Sequence, residues 1–105
     1  MIIQPLDLKI LKEFCSLKEN EYTTTWELMK KIFKSSTNSE SNRNNDNIKK
    51  RIEKMSKYGF FKVEGTPKKY ILNSDNVDYD FISFPGKRCK AITLLIEKKF
   101  VSFEL

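Results

Sequence analysis

The chain contains no histidine, and it has only two cysteines, three glycines and three prolines among its 105 residues. Without histidine it lacks the usual general base and the commonest metal ligand of proteins. Cys15 and Cys89 form neither a C-x-x-C pair nor a zinc-binding spacing. No glycine-rich phosphate loop and no evident pair of catalytic carboxylates is present. The sequence therefore predicts no enzyme, no cofactor, no metal site and no small-molecule ligand.

Long apolar runs are also missing. No uninterrupted run exceeds three residues, as in Leu94-Leu95-Ile96, whereas a membrane span needs roughly 20. No signal peptide is evident, and the two cysteines lie 74 positions apart, at 15 and 89. We therefore expect a soluble cytoplasmic protein in which both cysteines are free thiols that behave as small buried hydrophobic residues.

Positive charge is abundant and concentrated. The chain has a net charge of +6 and a pI near 9.3. Residues 43–69 contain nine Lys or Arg and three Asp or Glu, a balance of +6, while residues 1–42 carry six of each sign and residues 70–105 carry five of each. Such a local excess is expected of a surface that binds phosphate. A solvated lysine-rich helix is the alternative explanation.

The basic region is predicted to be a helix followed by a β-hairpin. Ile48, Ile52 and Met55 have the spacing of one buried helical face, and Gly59 can end the helix. Residues 60–64 and 69–72 are β-prone, and Gly65-Thr66-Pro67-Lys68 between them favours a turn.

Two further helices are predicted upstream. The first begins at residue 6 or 7 and ends near residues 18–20, and an extended piece follows at 21–23. The second begins at Thr24 or Thr25 and ends near Lys34, with Trp26 on its apolar side. Residues 35–47 contain no apolar side chain, so they are predicted to form an extended loop to about Asn42, with the third helix starting near Asn44.

Downstream, residues 77–84 are predicted to be a strand or an extended connector. Pro85-Gly86 follows, and residues 87–100 are predicted to be a final helix with a broad apolar face. No internal repeat or second domain is evident, so residues 1–105 form one predicted domain.

This order of elements resembles the winged helix-turn-helix DNA-binding domain over about residues 6–72. The most specific part is IKKRIEKMSKYGFFKVEGTPKKYIL, which is similar to the family's passage from recognition helix to wing. The resemblance implies an α+β, mainly helical fold, with a three-helix core and a β-hairpin wing in residues 6–74. To this the sequence adds the C-terminal helix, in an extension of residues 77–105. Small basic proteins of this type resemble regulators of prokaryotes, plasmids and viruses.

In the family the third helix enters the major groove and the wing lies along the backbone or minor groove. The resemblance thus implies sequence-dependent binding of double-stranded DNA, as a transcriptional regulator. Asn can bond adenine and Arg guanine, so the expected groove-facing residues are Arg43, Asn44, Asn45, Asn47 and Lys50. For Asn44 and Asn45, helix capping is an equal alternative, and Asn42 is assigned to loop polarity.

Phosphate contacts are expected from four lysines, Lys54, Lys57, Lys68 and Lys69, and from Thr24 and Thr25. Arg51 and Thr66 complete the set of expected DNA-binding residues. The threonines before helix two are included because a helix N-terminus offers N–H groups to anions. Trp26 is expected in the core rather than as a base-stacking platform.

The C-terminal segment is expected to form a homodimer, because its apolar residues are more than one helical stripe requires. The expected interface residues are Ile92, Leu95, Ile96, Phe100 and Phe103. The alternative is that this segment packs on helix one and completes the core. Alternative functions are a winged-helix protein–protein adaptor, a DNA-organising or partition protein of a plasmid or virus, and an RNA-binding protein.

Overall fold

The fold is α+β and mainly helical, with three helices and an antiparallel hairpin. The computed structural model describes residues 4–18, 20–34, 37–73, 77–83, 88–96 and 99–104, and it describes side chains only as far as residue 73. The helices are α1 (Pro5–Cys15), α2 (Thr25–Ile32) and α3 (Asn38–Lys57). The strands are β1 (Phe61–Glu64), β2 (Lys69–Leu72), β3 (Val77–Ser83), β4 (Arg88–Ile96) and β5 (Lys99–Glu104). None of the described helices has the length and apolar character that crossing a membrane requires.

The described core lies where the three helices meet the hairpin. Its apolar side chains recur at helical spacing in each helix and at alternate positions in β2. The rings of Phe14 and Phe61 pack with centroids 4.6 Å apart. The buried apolar residues are Ile10, Leu11, Phe14, Cys15, Leu28, Met29, Ile48, Ile52, Met55, Phe60, Phe61, Tyr70 and Leu72. The predicted inner face of helix three, Ile48, Ile52 and Met55, is confirmed.

A buried ion pair joins α1 to α3. The Asp7 side chain is fully buried and that of Arg51 is 13% exposed. Arg51 Nε donates to Asp7 Oδ1 and Nη2 donates to Oδ2, each at 2.7 Å. Asp7 Oδ2 also accepts from the backbone N–H of Gln4 at 2.8 Å, at the start of α1. Both carboxylate oxygens therefore have partners, as a charge buried at this depth requires.

Helix α3 begins earlier than the sequence predicts. Its first residue is Asn38, and the Oγ1 of Thr37 caps it by accepting from the Glu40 N–H at 3.1 Å. The prediction of a loop to about Asn42 is therefore wrong, because Thr37-x-x-Glu40 has the spacing of a capping box. The helix has 20 residues and is about 30 Å long. The connection from α2 shortens to residues 33–37, near the usual length of a helix-turn-helix connection.

The predicted hairpin is confirmed, and a third segment pairs with it. β1 and β2 are antiparallel, with Phe61 opposite Leu72 and Glu64 opposite Lys69. Gly65 has a φ of 77° in the turn, a conformation that favours glycine. The predicted extended piece before α2 forms a bridge through Thr23. Its N–H donates to the Tyr70 carbonyl at 2.9 Å and its carbonyl accepts from the Tyr70 N–H at 2.7 Å.

The predicted C-terminal helix is wrong, because residues 88–96 and 99–104 form strands. The sheet order is β3-β4-β5, with antiparallel pairing that places Ile92 opposite Phe103 and Leu95 opposite Phe100. The segment is rich in β-branched and aromatic residues, which favour strands. A dense apolar segment fits a helical and an extended pattern alike, so periodicity alone did not discriminate. For residues 77–83, the strand alternative is confirmed.

The expectation of free thiols is wrong for Cys15, which is disulfide-bonded. Cys15 is the last residue of α1, and α1 approaches β4. The other cysteine of the chain, Cys89, belongs to β4, but its side chain lies outside the described ones. The separation of the two cysteines in sequence gave no sign of how the fold brings these two elements together.

Removing the guanidinium of Arg51 should strongly destabilise the protein. Arg51→Met leaves the buried Asp7 carboxylate without its cation, so we expect the free energy of unfolding to fall by about 3–5 kcal/mol. The double variant Arg51→Met with Asp7→Asn should lose less stability than Arg51→Met alone, since no charge is then buried. Lys50→Met, at the exposed neighbouring position, is the control and should change stability by about 0.5 kcal/mol or less. Urea denaturation measures all three, and equal losses for Arg51→Met and Lys50→Met would contradict this account.

The Thr37 cap should determine where α3 begins. Thr37→Ala removes the acceptor for the Glu40 N–H and should cost about 0.5–2 kcal/mol of stability. Backbone chemical shifts of residues 38–42 should move towards coil values, because the residues of this turn have no buried apolar side chain among them. Ser39→Ala, an exposed substitution in the same turn, is the control. Unchanged shifts in Thr37→Ala would show that the helix start does not depend on this cap.

Candidate nucleic-acid interface

One exposed face of α3 carries a continuous row of basic and polar side chains, which we call the basic stripe. Its members are separated by four, three, four and three positions, the spacing of neighbours along one helical face. All are exposed, and they lie away from the face that contains Ile48, Ile52 and Met55. The basic stripe consists of Arg43, Asn47, Lys50, Lys54 and Lys57. It contains no acidic residue and covers most of the length of the helix.

The exposed acids of α3 after its first turn lie beside the basic stripe. Asp46 and Glu53 are seven positions apart and so share one edge of the helix. Burial and then the charge of Glu53 raise the pKa of Tyr70 in β2. At Glu53, this edge of the helix is therefore on the side of the hairpin. The opposite edge turns towards α1, where Arg51 binds Asp7. The basic stripe is thus flanked by the hairpin on one side and by α1 on the other.

Two of the predicted groove-facing residues turn towards the protein. Arg43, Asn47 and Lys50 are exposed, whereas Asn44 and Asn45 are half-buried. Oδ1 of Asn45 is buried, and no hydrogen-bond partner for it exists in the described part of the chain. The earlier helix start exposes Asn38, Ser39 and Asn42 instead. Asn38 and Ser39 were missed from the sequence and Asn42 was assigned to loop polarity, although the capping-box spacing of Thr37 and Glu40 indicated that all three are helical.

Arg51 lies in the ion pair and not on the basic stripe. Its hydrogen bond to Asp7 raises the pKa of the guanidinium, burial lowers it, and the Asp7 charge raises it further. Both carboxylate oxygens of Asp7 accept from this side chain. Arg51 therefore has a structural partner, which its basic character in the sequence did not reveal.

The wing, which we define as residues 61–72, presents further cations. Lys62, Thr66, Lys68 and Lys69 are exposed. Glu64 stands opposite Lys69 in the register. Partial desolvation, followed by a hydrogen bond to Glu64 and the Glu64 charge, raises the pKa of Tyr22. Together with the Thr23 bridge, this contact holds the wing against the segment that leads into α2.

The first residues of α2 and its cap, Thr24 to Trp26, are placed differently from the sequence expectations. Thr24 Oγ1 accepts from the Glu27 N–H at 3.2 Å, so Thr24 caps α2, and Thr25 is half-buried. The core assignment of Trp26 is wrong, since its side chain is 40% exposed. Leu28 and Met29 form the buried side of this helix, and Trp26, about 200° around the helix from Leu28 but three positions from Met29, lies at the edge of that side.

The residues predicted to form a dimer interface lie on strands rather than on a helix. Ile92, Leu95 and Ile96 belong to β4, while Phe100 and Phe103 belong to β5. Their side chains lie outside the described ones, and the homodimer stays a prediction.

The three helices, the hairpin and the Thr23 bridge are compatible with a winged helix-turn-helix arrangement. Among the described residues, no group of three or more His, Cys, Asp or Glu side chains is placed to hold a metal ion. Comparison of the chain with protein-family models, curated proteins and solved structures finds no match.

Proposed function

We propose that this protein binds double-stranded DNA in a sequence-dependent manner and acts as a transcriptional regulator. The observation that carries the proposal is the basic stripe, an acid-free row of exposed residues along α3. The major groove of B-DNA is about 12 Å wide and admits an α-helix. Arg43 and Asn47 are of the types that bond base edges, and Lys50, Lys54 and Lys57 are suited to phosphates.

The distribution of charge supports an anionic partner. Of the nine basic residues between positions 43 and 69, eight are exposed and the ninth, Arg51, is paired with Asp7. The exposed cations belong to α3 and the wing, which are consecutive in the chain and pack together through Phe60 and Phe61. These cations are therefore clustered in one region of the protein, and their combined positive potential strengthens phosphate binding.

The exposed side chains of the wing are suited to contacts with the DNA backbone. Its exposed lysines are Lys62, Lys68 and Lys69, and an ammonium group binds phosphate as a point charge without reading sequence. The bridge between Thr23 and Tyr70 fixes the base of the wing, so the entropy lost when these lysines bind is limited. The proposed division assigns base contacts to Arg43 and Asn47 of α3, and phosphate contacts to the lysines of α3 and of the wing.

A second candidate function is a protein–protein adaptor. It is favoured by two exposed large apolar side chains, Trp26 at 40% and Val63 at 45%, since exposed aromatic residues are common in protein interfaces. An adaptor does not require its cations to be concentrated on one helix and one hairpin. The DNA titration described next separates the two candidates.

DNA binding should depend strongly on salt. Each phosphate neutralised contributes about −0.9 to the slope of log K against log salt concentration, so four to six contacts give a slope of about −4 to −5. Fluorescence anisotropy with a labelled random duplex at several salt concentrations measures this slope. No binding at low salt, or binding that salt does not weaken, would exclude the proposal and leave the adaptor.

The basic stripe should account for part of that slope. Lys54→Ala combined with Lys57→Ala removes two proposed phosphate contacts, so the slope should decrease in magnitude by about 2, with similar losses on every DNA sequence. Lys9→Ala combined with Lys12→Ala is the matched control, because both lysines are exposed on α1 and carry the same charge. If the two double variants lose the same slope, the bound DNA does not lie on the basic stripe.

A further inference from the structure

Asp46 is an acidic residue at the edge of the surface proposed to bind DNA. It is exposed, lies three positions after Arg43 and four before Lys50, and is therefore a neighbour of both on the surface of α3. Its carboxylate is close to the places where phosphates are proposed to bind, and like charges repel there. An acid at this point weakens general DNA binding, so its presence requires a separate explanation.

The structural roles of acids in helices do not explain Asp46. The cap of α3 is Thr37 and the acid of its first turn is Glu40, so Asp46 is too far along the helix to stabilise its N-terminus. In the described part of the chain, no hydrogen bond or ion pair engages the Asp46 carboxylate. An acid four positions before a lysine contributes only about 0.2–0.5 kcal/mol to a helix.

The chemistry of the major groove offers such an explanation. An ionised carboxylate is only an acceptor, and cytosine presents the N4 amino donor in that groove. Arg43, on the adjacent turn, can donate two hydrogen bonds to O6 and N7 of guanine. Cβ atoms three positions apart on a helix are about 5–6 Å apart, so the two side chains can reach the bases of one G·C pair or of neighbouring pairs.

We propose that Asp46 is a specificity-determining residue that accepts a hydrogen bond from the N4 amino group of a cytosine in the major groove. This inference rests on the proposed DNA-binding function and adds a feature of the target, a G·C pair facing this position of α3. On sequences without that cytosine, the carboxylate has no donor and is repelled by the phosphates. Asp46 therefore lowers general affinity while it increases discrimination.

Glu53 supplies a matched control on the same helix. It is exposed, seven positions further along and on the same edge, so Glu53→Gln removes the same charge as Asp46→Asn. At Glu53, however, the carboxylate lies near Tyr70 of the wing. Both variants should bind a random duplex more tightly by a similar factor, of about two- to five-fold, because both remove one repulsive charge from α3.

The two variants should differ in base preference. A preferred duplex is first selected with the wild-type protein, and each of its positions is then replaced by all four base pairs. Asp46→Asn should lose about 10-fold of discrimination at one C·G position. Its preference there should move towards A·T, because Asn bonds adenine. Glu53→Gln should keep the wild-type preference at every position.

The possible outcomes are distinct. If Asp46→Asn and Glu53→Gln tighten binding equally and neither changes base preference, Asp46 acts only as a charge and the inference is overturned, while DNA binding stands. If the wild-type protein shows no salt-dependent binding, the proposed function fails and the inference fails with it. Asp46→Ala checks for a folding artefact, since alanine favours a helix and removes the acceptor. It must show the same loss of discrimination.

Discussion

The ion pair between Asp7 and Arg51 joins α1 to α3 across 44 positions of sequence. A bidentate guanidinium contact fixes direction as well as distance. With Ile48, Ile52 and Met55 in the core, it determines the rotation of α3 about its own axis. Every other side chain of the helix then takes its direction from helical geometry. The direction of the exposed row from Arg43 to Lys57 thus follows from the contacts that α3 makes with α1 and with the core.

Much of the amino-terminal region could be predicted because its patterns are local. The spacing of Ile48, Ile52 and Met55 and the turn around Gly65 each depend on a few consecutive residues, and the structure confirms them. The start of α3 is also a local signal, at Thr37 and Glu40, but the absence of apolar residues in 38–47 outweighed it. In residues 38–47 the capping signal is what predicts a helix. An apolar pattern would show only which residues contact the core.

The missed features depend on contacts distant in sequence. Arg51 and Lys50 look equivalent in the sequence, and only the fold places Asp7 beside one of them. Asn44 and Asn45 are the exception: they lie four and three positions before buried Ile48, so helical spacing alone turns them towards the protein. The strands of residues 88–96 and 99–104 required knowledge of pairing between segments, because their apolar density fits a helical and an extended pattern alike. The disulfide at Cys15 was missed for the same reason.

The uneven composition of α3 has a dynamic consequence. Its second half is attached to the core through Ile48, Ile52 and Met55, whereas residues 38–47 contain no apolar side chain and consist mostly of Asn, Ser and Asp, which are weak helix formers. Opening of that half exposes little apolar surface, so it does not require unfolding of the whole domain. The two halves of one continuous helix should therefore exchange their amide hydrogens by different routes. The first half opens by local fraying from Thr37, and the second opens only when the core itself is lost.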